Sequence, residues 1–599
     1  MVFLKSNLIQ KSKKALLILL ISGGIFILFF SQALAVNLNE SYKFYLDSKY
    51  DFSSRTEITA TLKKVSTNAY FYIEDEYWNE LTVSQRIAYL DYVDTLAIEF
   101  DDTIYPSLTY VFGQEWKPGI DNDDKITILL TELKSSAGGY FNEKDEVSQA
   151  QEPTSNAREM IYLNSAQISN PLIYSLLAHE MQHLISWNQK EKTRGVKDDI
   201  WLNELRSEYA PTVCGYDSAY VGSNLEKRID DFLARPFDSL TEWKGDRYDY
   251  PSVNVFGHYL VEQFGEDILK YITQTSDIGI KSVESALMSK GYNFTFSQVF
   301  NNWAIANFLN DNSFYLGQYG YKNPYLKGTI NVSPITYSIT SASIISIAQQ
   351  AKDWSPYMYR FFNKQETDTV AKDLEIEFEG VINSGNFSVL YIIDYISQSQ
   401  PSIGIMNMLN QKGTIKIYDF KNTVDSVTIL ISNQFKKTNF TSSDSITNFI
   451  LSVATTVFTE PPVNPSTGTA NPSDYGLKEG DLIRAEGDFD IFIISQYGYK
   501  RLFLNPAIFN MYGHLGGWKA VKTVSPATRD AFITSKYFRY VDSPKVYQLE
   551  VTGEDTGKLH WLNMTAENFL SQGGKSDAIF TINKSEYDWY PKGAEKTAL

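Results

Sequence analysis

Leu176-Leu177-Ala178-His179-Glu180-Met181-Gln182-His183-Leu184-Ile185 holds two of the five histidines of the 599-residue chain, four positions apart. Asn170 can cap a helix whose first residue is Pro171, so a helix is predicted from Pro171 to about Trp187. On that helix His179 and His183 share a face, and two imidazoles reach one metal ion. Glu180 stands about 100° further round, placed to take a proton from a water at the same point.

About twenty residues on comes Trp201-Leu202-Asn203-Glu204-Leu205-Arg206-Ser207-Glu208-Tyr209-Ala210. Asp198 or Asp199 can cap this second predicted helix and Pro211 can end it, which puts Glu204 and Glu208 on one face. A zinc site with an open catalytic position needs three protein ligands, here His179, His183 and Glu204. Glu208 is then available to accept the other ring N–H of a ligand histidine, His179 in the first place, fixing its tautomer.

His179-Glu180-x-x-His183 followed by Asn203-Glu204-x-x-Ser207-Glu208 resembles the gluzincin metallopeptidases, the thermolysin-like group, and most of all the hyicolysin-like secreted bacterial peptidases. The resemblance covers about residues 110–310, including Gly138-Gly139-Tyr140-Phe141 and Trp303-Ala304-Ile305-Ala306. It implies a zinc-dependent endopeptidase acting on protein or peptide, with Glu180 as general base and an edge strand near Gly138–Phe141 that holds extended substrate. It also implies a donor to the developing oxyanion in the later helical half, where Tyr248, Tyr250 and His258 occur; Tyr250 is the preferred candidate. The family usually has glycine after the ligand glutamate, where Leu205 stands here, a departure that bears on helix packing. No Gly-x-Met-Glu-Asn segment of the aminopeptidase branch is present.

A hydrophobic fraction of 43% with 21% charged residues supports folded cores, and the length suggests about three to five domains. Cys214 is the single cysteine, so disulfides within the chain and all-cysteine metal sites are excluded. A net charge of −17 argues against nucleic acid as a partner. Residues 1–35 carry Lys5, Lys11, Lys13 and Lys14 without an acidic residue, then the apolar run Ala15–Phe30 and the small-residue site Ala33-Leu34-Ala35. This order reads as a secretory signal peptide, with an uncleaved anchor as the alternative, and places the protein outside a bacterial cell. Asp121-Asn122-Asp123-Asp124 has the oxygen-rich character of a calcium loop but lacks the spaced glutamate of an EF-hand. A solvated turn is the preferred reading there, with Ca2+ as the alternative.

The expected fold class is α+β: a two-lobed zincin-type catalytic domain, an antiparallel β-sandwich and a small tandem-repeat tail. After the signal, residues 36–110 are an N-terminal region, either pro-segment or the start of the catalytic domain, and 111–335 the metallopeptidase domain. Alternating, β-branched runs mark a sandwich over 345–457, and Pro, Ser, Thr and Asn mark a linker over 458–478. Residues 479–590 contain a weak duplication: Arg484 and Lys500–Asn505 recur as Arg539 and Lys558–Asn563, at offsets of 55 and 58 residues, and Thr523 recurs as Thr581. Such a module suits a cell-surface or wall polymer as partner; the sequence leaves the oligomeric state open. The alternative function is a surface adhesin or wall-binding protein in which the zinc site is purely structural.

Overall fold

The computed structural model describes residues 37–599 apart from 315–316, 340–343, 364–371, 383–384, 399, 419, 421, 436–444, 458–469, 487, 541–542 and 554. The signal-peptide reading, and most of the linker, lie outside the described residues. The chain is α+β and divides into two compact units, Met1–Gln189 and Lys190–Leu599.

The first unit is built on a six-stranded sheet. Its strands are β1 (Ser41–Tyr45), β2 (Glu57–Val65), β3 (Ala69–Glu74), β4 (Ile126–Thr131), β5 (Gly139–Phe141) and β6 (Met160–Asn164), in the order β1-β2-β3-β4-β6-β5. The β3–β4 and β4–β6 pairs are parallel, whereas β5 runs antiparallel to β6 and forms one edge. Every residue of β4 and β6 is buried, as parallel strands covered on both faces require, and this explains their unbroken apolar sequences. The 36–110 region supplies β1–β3 of this same sheet, so the boundary placed near residue 110 runs between paired strands. Helix α1 (Val83–Glu99) starts at a capping box between Thr82 and Gln85, and α2 (Tyr105–Phe112) follows it. Helix α3 (Ile173–Trp187) closes the unit.

The second unit begins with a helical region: α4 (Ile200–Val213), α5 (Asn224–Ala234), α6 (Asp249–Phe264) and α7 (Phe296–Leu309) among others. Pro211 does not end α4; the helix runs two residues past it. Leu205, fully buried, lies on α6 where Gly257 stands: a Cβ at 257 would be 3.3 Å from its Cγ and Cδ2. The close approach of α4 and α6 therefore rests on a glycine of α6, not on one after Glu204.

Beyond the helices lie, among the described residues, the strands β7 (Ile335–Ile339), β8 (Ile344–Lys352), β9 (Tyr357–Asn363), β10 (Lys372–Gly380), β11 (Phe387–Tyr395), β12 (Ser402–Ile405), β13 (Lys412–Ile417), β14 (Val424–Asn433) and β15 (Ile446–Val457). They form a sheet in the order β13-β10-β15-β8 and another in the order β12-β11-β14-β9-β7, sharing one core that includes Phe361, Phe378, Phe387, Ile429 and Phe449. The sheets begin at Ile335, the last residue of the stretch expected to be the metallopeptidase domain and ten residues ahead of the expected start of the sandwich. Helix α7 joins them through Phe296 and Phe300, whose rings meet Trp354 edge-on at 4.9 and 5.3 Å, and through Asn301, whose Oδ1 accepts from Gln434 Nε2 at 2.7 Å.

The tail contains two sheets with related chain paths. In the first, β16 (Leu482–Ala485), β17 (Ile491–Ile494) and β18 (Tyr499–Leu502) form an antiparallel meander, and β19 (Val521–Val524) returns parallel to β16. In the second, β20 (Tyr537–Tyr540), β21 (Val546–Gly553) and β22 (Thr556–Trp561) do the same, and β23 (Ile579–Ile582) returns parallel to β20. Arg484 pairs in register with Thr523, and Arg539 with Thr581. The two sheets share a core containing Leu482, Phe503, Phe538 and Leu559. Arg501 of β18 is buried there beside Glu586 of α8 (Lys584–Trp589).

Candidate metal centre

Helix α3 begins two residues later than the sequence suggests. Asn170 Oδ1 accepts from the backbone N–H of Leu172 at 3.0 Å, which spends Pro171 and Leu172 on a turn and leaves Ile173 as the first helical residue. The register of the histidines is unaffected by this change. His179 and His183 are half-buried, with Nε2 atoms 3.2 Å apart and rings inclined at 77°. Two nitrogens bound tetrahedrally at about 2.0–2.1 Å from zinc stand about 3.3 Å apart, so the pair has the spacing of two ligands of one ion.

Glu180 is buried and lies under the edge strand. A Cβ built on Gly139 would come 3.3 Å from Glu180 Cγ and 2.7 Å from the carbonyl oxygen of Tyr162; one on Gly138 would come 2.6 Å from Leu176 Cδ1. The two glycines thus let β5 approach α3 closely. Tyr140, between Gly139 and Phe141, stacks on Tyr162 at 4.1 Å. One expected result is that Gly139→Ala costs about 1–3 kcal/mol in stability, because the added methyl forces backbone displacement against Tyr162. Urea unfolding of the variant beside the parent checks this, and a wild-type midpoint would rule out the close approach of β5 to α3.

In the second unit Glu204 is half-buried on α4, and Asp199 occupies its N-cap position without a side-chain capping bond. Asp198 is engaged with Arg206 at 2.7 Å and accepts from the backbone N–H of Gly279 at 2.8 Å. Glu208 is only 1% exposed. It accepts from Arg228 Nε and Nη2, both at 2.7 Å, and from Asn224 Nδ2 at 3.0 Å. Arg228 went unnoticed in the sequence, since twenty residues and a turn separate it from Glu208. Its guanidinium also sits 4.6 Å over the ring of Tyr250, which Trp243 meets edge-on at 4.9 Å. Tyr250 is therefore tied through Arg228 to the helix that carries Glu204. Tyr248 lies under Arg235 and Arg247 instead.

His258 is a packing residue. It is fully enclosed on α6, 4.8 Å from the ring of Tyr209 and 3.4 Å from Thr212 Oγ1, and burial pushes its pKa down to about 3. The folded chain keeps it neutral, while the unfolded chain protonates it near 6.5. Its contribution to stability is complete above pH 6.5 and falls as pH drops below that value, by about 1.4 kcal/mol per unit. His258→Gln is expected to lose this component of the slope between pH 6.5 and 5, measured by urea unfolding across that range; an unchanged slope refutes it.

Among the described residues, His179, His183 and Glu204 are the group of three potential ligands whose donor atoms all lie within 4.8 Å of one another, and this group could hold a metal ion. No helix among the described residues is long and apolar enough to cross a membrane.

No family model matches the chain. Over 219 residues it is 29% identical to the neutral metalloprotease ShpI of Staphylococcus hyicus, an alignment that covers 32% of this chain. The match spans 47% of that relative, about half its length. The resemblance to bacterial metallopeptidases expected from the motif is thus met in a curated protein. Two solved structures share weak likeness with a fifth of the chain. The pre-peptidase C-terminal domain of collagenase from Bacillus anthracis is 11% identical over 20% of this chain and 98% of its own, with a TM-score of 0.14. PliG of Aeromonas hydrophila, a periplasmic inhibitor of g-type lysozyme, is 7% identical over 21% and 98%, also at 0.14. Neither score bears on the fold.

Proposed function

We propose that the protein is an exported zinc-dependent endopeptidase of the two-lobed gluzincin type. The observation that carries this reading is the joint placement of two histidine nitrogens at ligand spacing and a buried glutamate beneath a sheet edge. His179, His183 and Glu204 would hold the ion, a donor set of two nitrogens and one carboxylate that suits zinc and would leave a position open. Zinc bound there supplies Lewis acidity toward the scissile carbonyl and a water of lowered pKa. The similarity to a neutral metalloprotease supports the same chemistry.

The protein's own residues do the rest. Strand β5 leaves one side of its backbone unpaired within the sheet and takes an extended peptide by strand addition. Glu180, beside Gly139 of that strand, accepts a proton from the attacking water and gives it to the leaving amine. Glu208, held in place by Arg228, accepts the ring N–H of His179. Tyr250, set against Arg228, donates to the oxyanion. Residues 479–590 are proposed to bind a cell-surface or wall polymer, after export directed by residues 1–35.

The test is metal content together with casein cleavage for wild type, His183→Ala and Glu204→Ala. One zinc per wild-type chain, lost in both variants along with a chelator-sensitive activity, supports the reading. A folded wild-type protein that takes up no zinc overturns it.

A further inference from the structure

The carboxyl ends of β4 and β6 open onto a cavity of about 530 Å³ in the first unit. Ligands of open parallel sheets bind in this position, outside the carboxyl ends of the strands, and the volume lies in the range of ligand sites, about 300–1,000 Å³. Phe52, 45% exposed, and Leu133 give the cavity apolar wall. Glu132 and Gln167, both half-buried, give it polar groups. Among the described residues no donor reaches the Glu132 carboxylate, and the side-chain amide of Gln167 is likewise without a partner. Burial and the neighbouring acids Glu74 and Glu80 push the Glu132 carboxyl above its ordinary range.

The cations nearby are engaged elsewhere. Arg55, whose guanidinium lies 4.7 Å over the ring of Phe52, is held by Asp51, Glu74 and Glu76. Lys134 borders the cavity, but its Nζ donates to the backbone carbonyls of Lys49 at 2.7 Å and Ser48 at 3.4 Å, residues that do not line it. Lys49 Nζ sits over the ring of Tyr50. The charge left facing the cavity is negative, and an unpaired carboxylate half out of water is stabilised by an arriving cation. Asn164 ties this cavity to the edge strand. Its Oδ1 accepts from the N–H of Ala166 at 3.1 Å, its Nδ2 donates to the carbonyl of Ala137 at 2.9 Å, and its backbone N–H donates to that of Gly138 at 2.9 Å. Ser135, also in the wall, precedes Gly139 by four residues, so the cavity starts within about 13 Å of the place where β5 meets Glu180.

A peptide added antiparallel to β5, the better hydrogen-bonded geometry, runs from Phe141 toward Gly139, and its C-terminal part continues toward Ser135. We propose that the cavity receives a lysine or arginine side chain of the substrate, two to four residues beyond the cleaved bond on the leaving-amine side, with Glu132 as its counter-charge. This rests on the peptidase reading and adds a substrate class to it, proteins with a basic residue downstream of the cut. The apolar stem of the side chain lies along Phe52 and Leu133, as such stems do on apolar surface. Its cationic head meets the Glu132 carboxylate, with the amide oxygen of Gln167 as a second acceptor.

The test uses the full chain. Casein digests read by mass spectrometry locate the cleaved bonds, and fluorogenic peptides built on one of them carry Lys, Gln or Glu at the second, third or fourth position after the bond. The preference is the ratio of kcat/KM for the lysine and glutamate peptides within each protein, so a general change in activity cancels. It is expected to be about tenfold or more for wild type at one of these positions, about one for Glu132→Gln, and reversed for Glu132→Lys. Fluorescence anisotropy of the same peptides on the Glu180→Gln chain is expected to give the same order of affinities where no bond is cut. Cleavage without a downstream lysine preference, a preference for glutamate, or a lysine preference that Glu132→Lys retains overturns the proposal and leaves the peptidase reading standing. A zinc-loaded wild type that cuts nothing, while lysine peptides bind through Glu132, removes the peptidase reading and keeps the cavity's role. Neither cleavage nor binding overturns both.

Discussion

Glu180→Gln lowers casein turnover by about 10²–10⁴-fold while zinc content stays at the wild-type level. Glutamine has the shape of glutamate, and the space for it is already fixed by Gly139 on the edge strand and by the surrounding helix, so the fold and the two histidines are undisturbed. In the proposed mechanism, what is lost is a basic oxygen at the point where a water surrenders its proton. The loss is expected to fall on kcat more than on KM, because the proposed peptide pairing with β5 does not involve the carboxylate. Zinc analysis beside steady-state kinetics on casein and on a fluorogenic peptide checks this result. A variant that still cleaves at the parent rate removes Glu180 from the mechanism, and one that loses its zinc gives it a structural task instead.

The second large effect concerns stability. Arg501 Nη1 donates to both oxygens of Glu586 at 2.6 and 2.7 Å, Tyr512 adds its hydroxyl, and the guanidinium is enclosed by the rings of Phe503, Tyr512 and Phe538. Both groups are 2% exposed or less. Removing one partner leaves the other charged in an apolar core, which costs about 3–5 kcal/mol. Arg501→Met is therefore expected to reduce hydrogen-exchange protection of Tyr499–Leu502 and Tyr537–Tyr540 by about 10²–10⁴-fold in the full chain, with the helical region unchanged. The double change Arg501→Met with Glu586→Met restores much of it, because two apolar side chains of similar volume need no counter-charge. Equal protection in Arg501→Met and wild type contradicts the account.

These two sites differ in how far the sequence exposes them. His179, Glu180 and His183 are visible at once because helical periodicity alone gathers them, and Glu204 follows because a second helix has the right acid at a workable distance. The strands β4 and β6 are equally plain, since burial on both faces writes an unbroken apolar run. Contacts made by tertiary folding leave no such mark. Gly139 looks like any glycine in a loop until β5 is seen lying against α3. Arg228, Arg501 and Glu586 are ordinary surface-type residues in the sequence, and only the assembled core turns them into buried partners. Start and stop signals also mislead locally: Asn170 and Pro171 form a turn before the helix, and Pro211 is tolerated within α4. Leu205 illustrates compensation, as the small residue expected after Glu204 is replaced by Gly257 on the neighbouring helix.

The paired sheets of the tail have an evolutionary corollary. Although the two sheets follow similar paths, Arg501 comes from the earlier one and Glu586 from the helix that follows the later one. A deletion removing either sheet with its helix would strand a charge in the core the two share. Lineages that inherit this arrangement should accordingly keep the two sheets as an indivisible pair, drifting in surface sequence while both stay together.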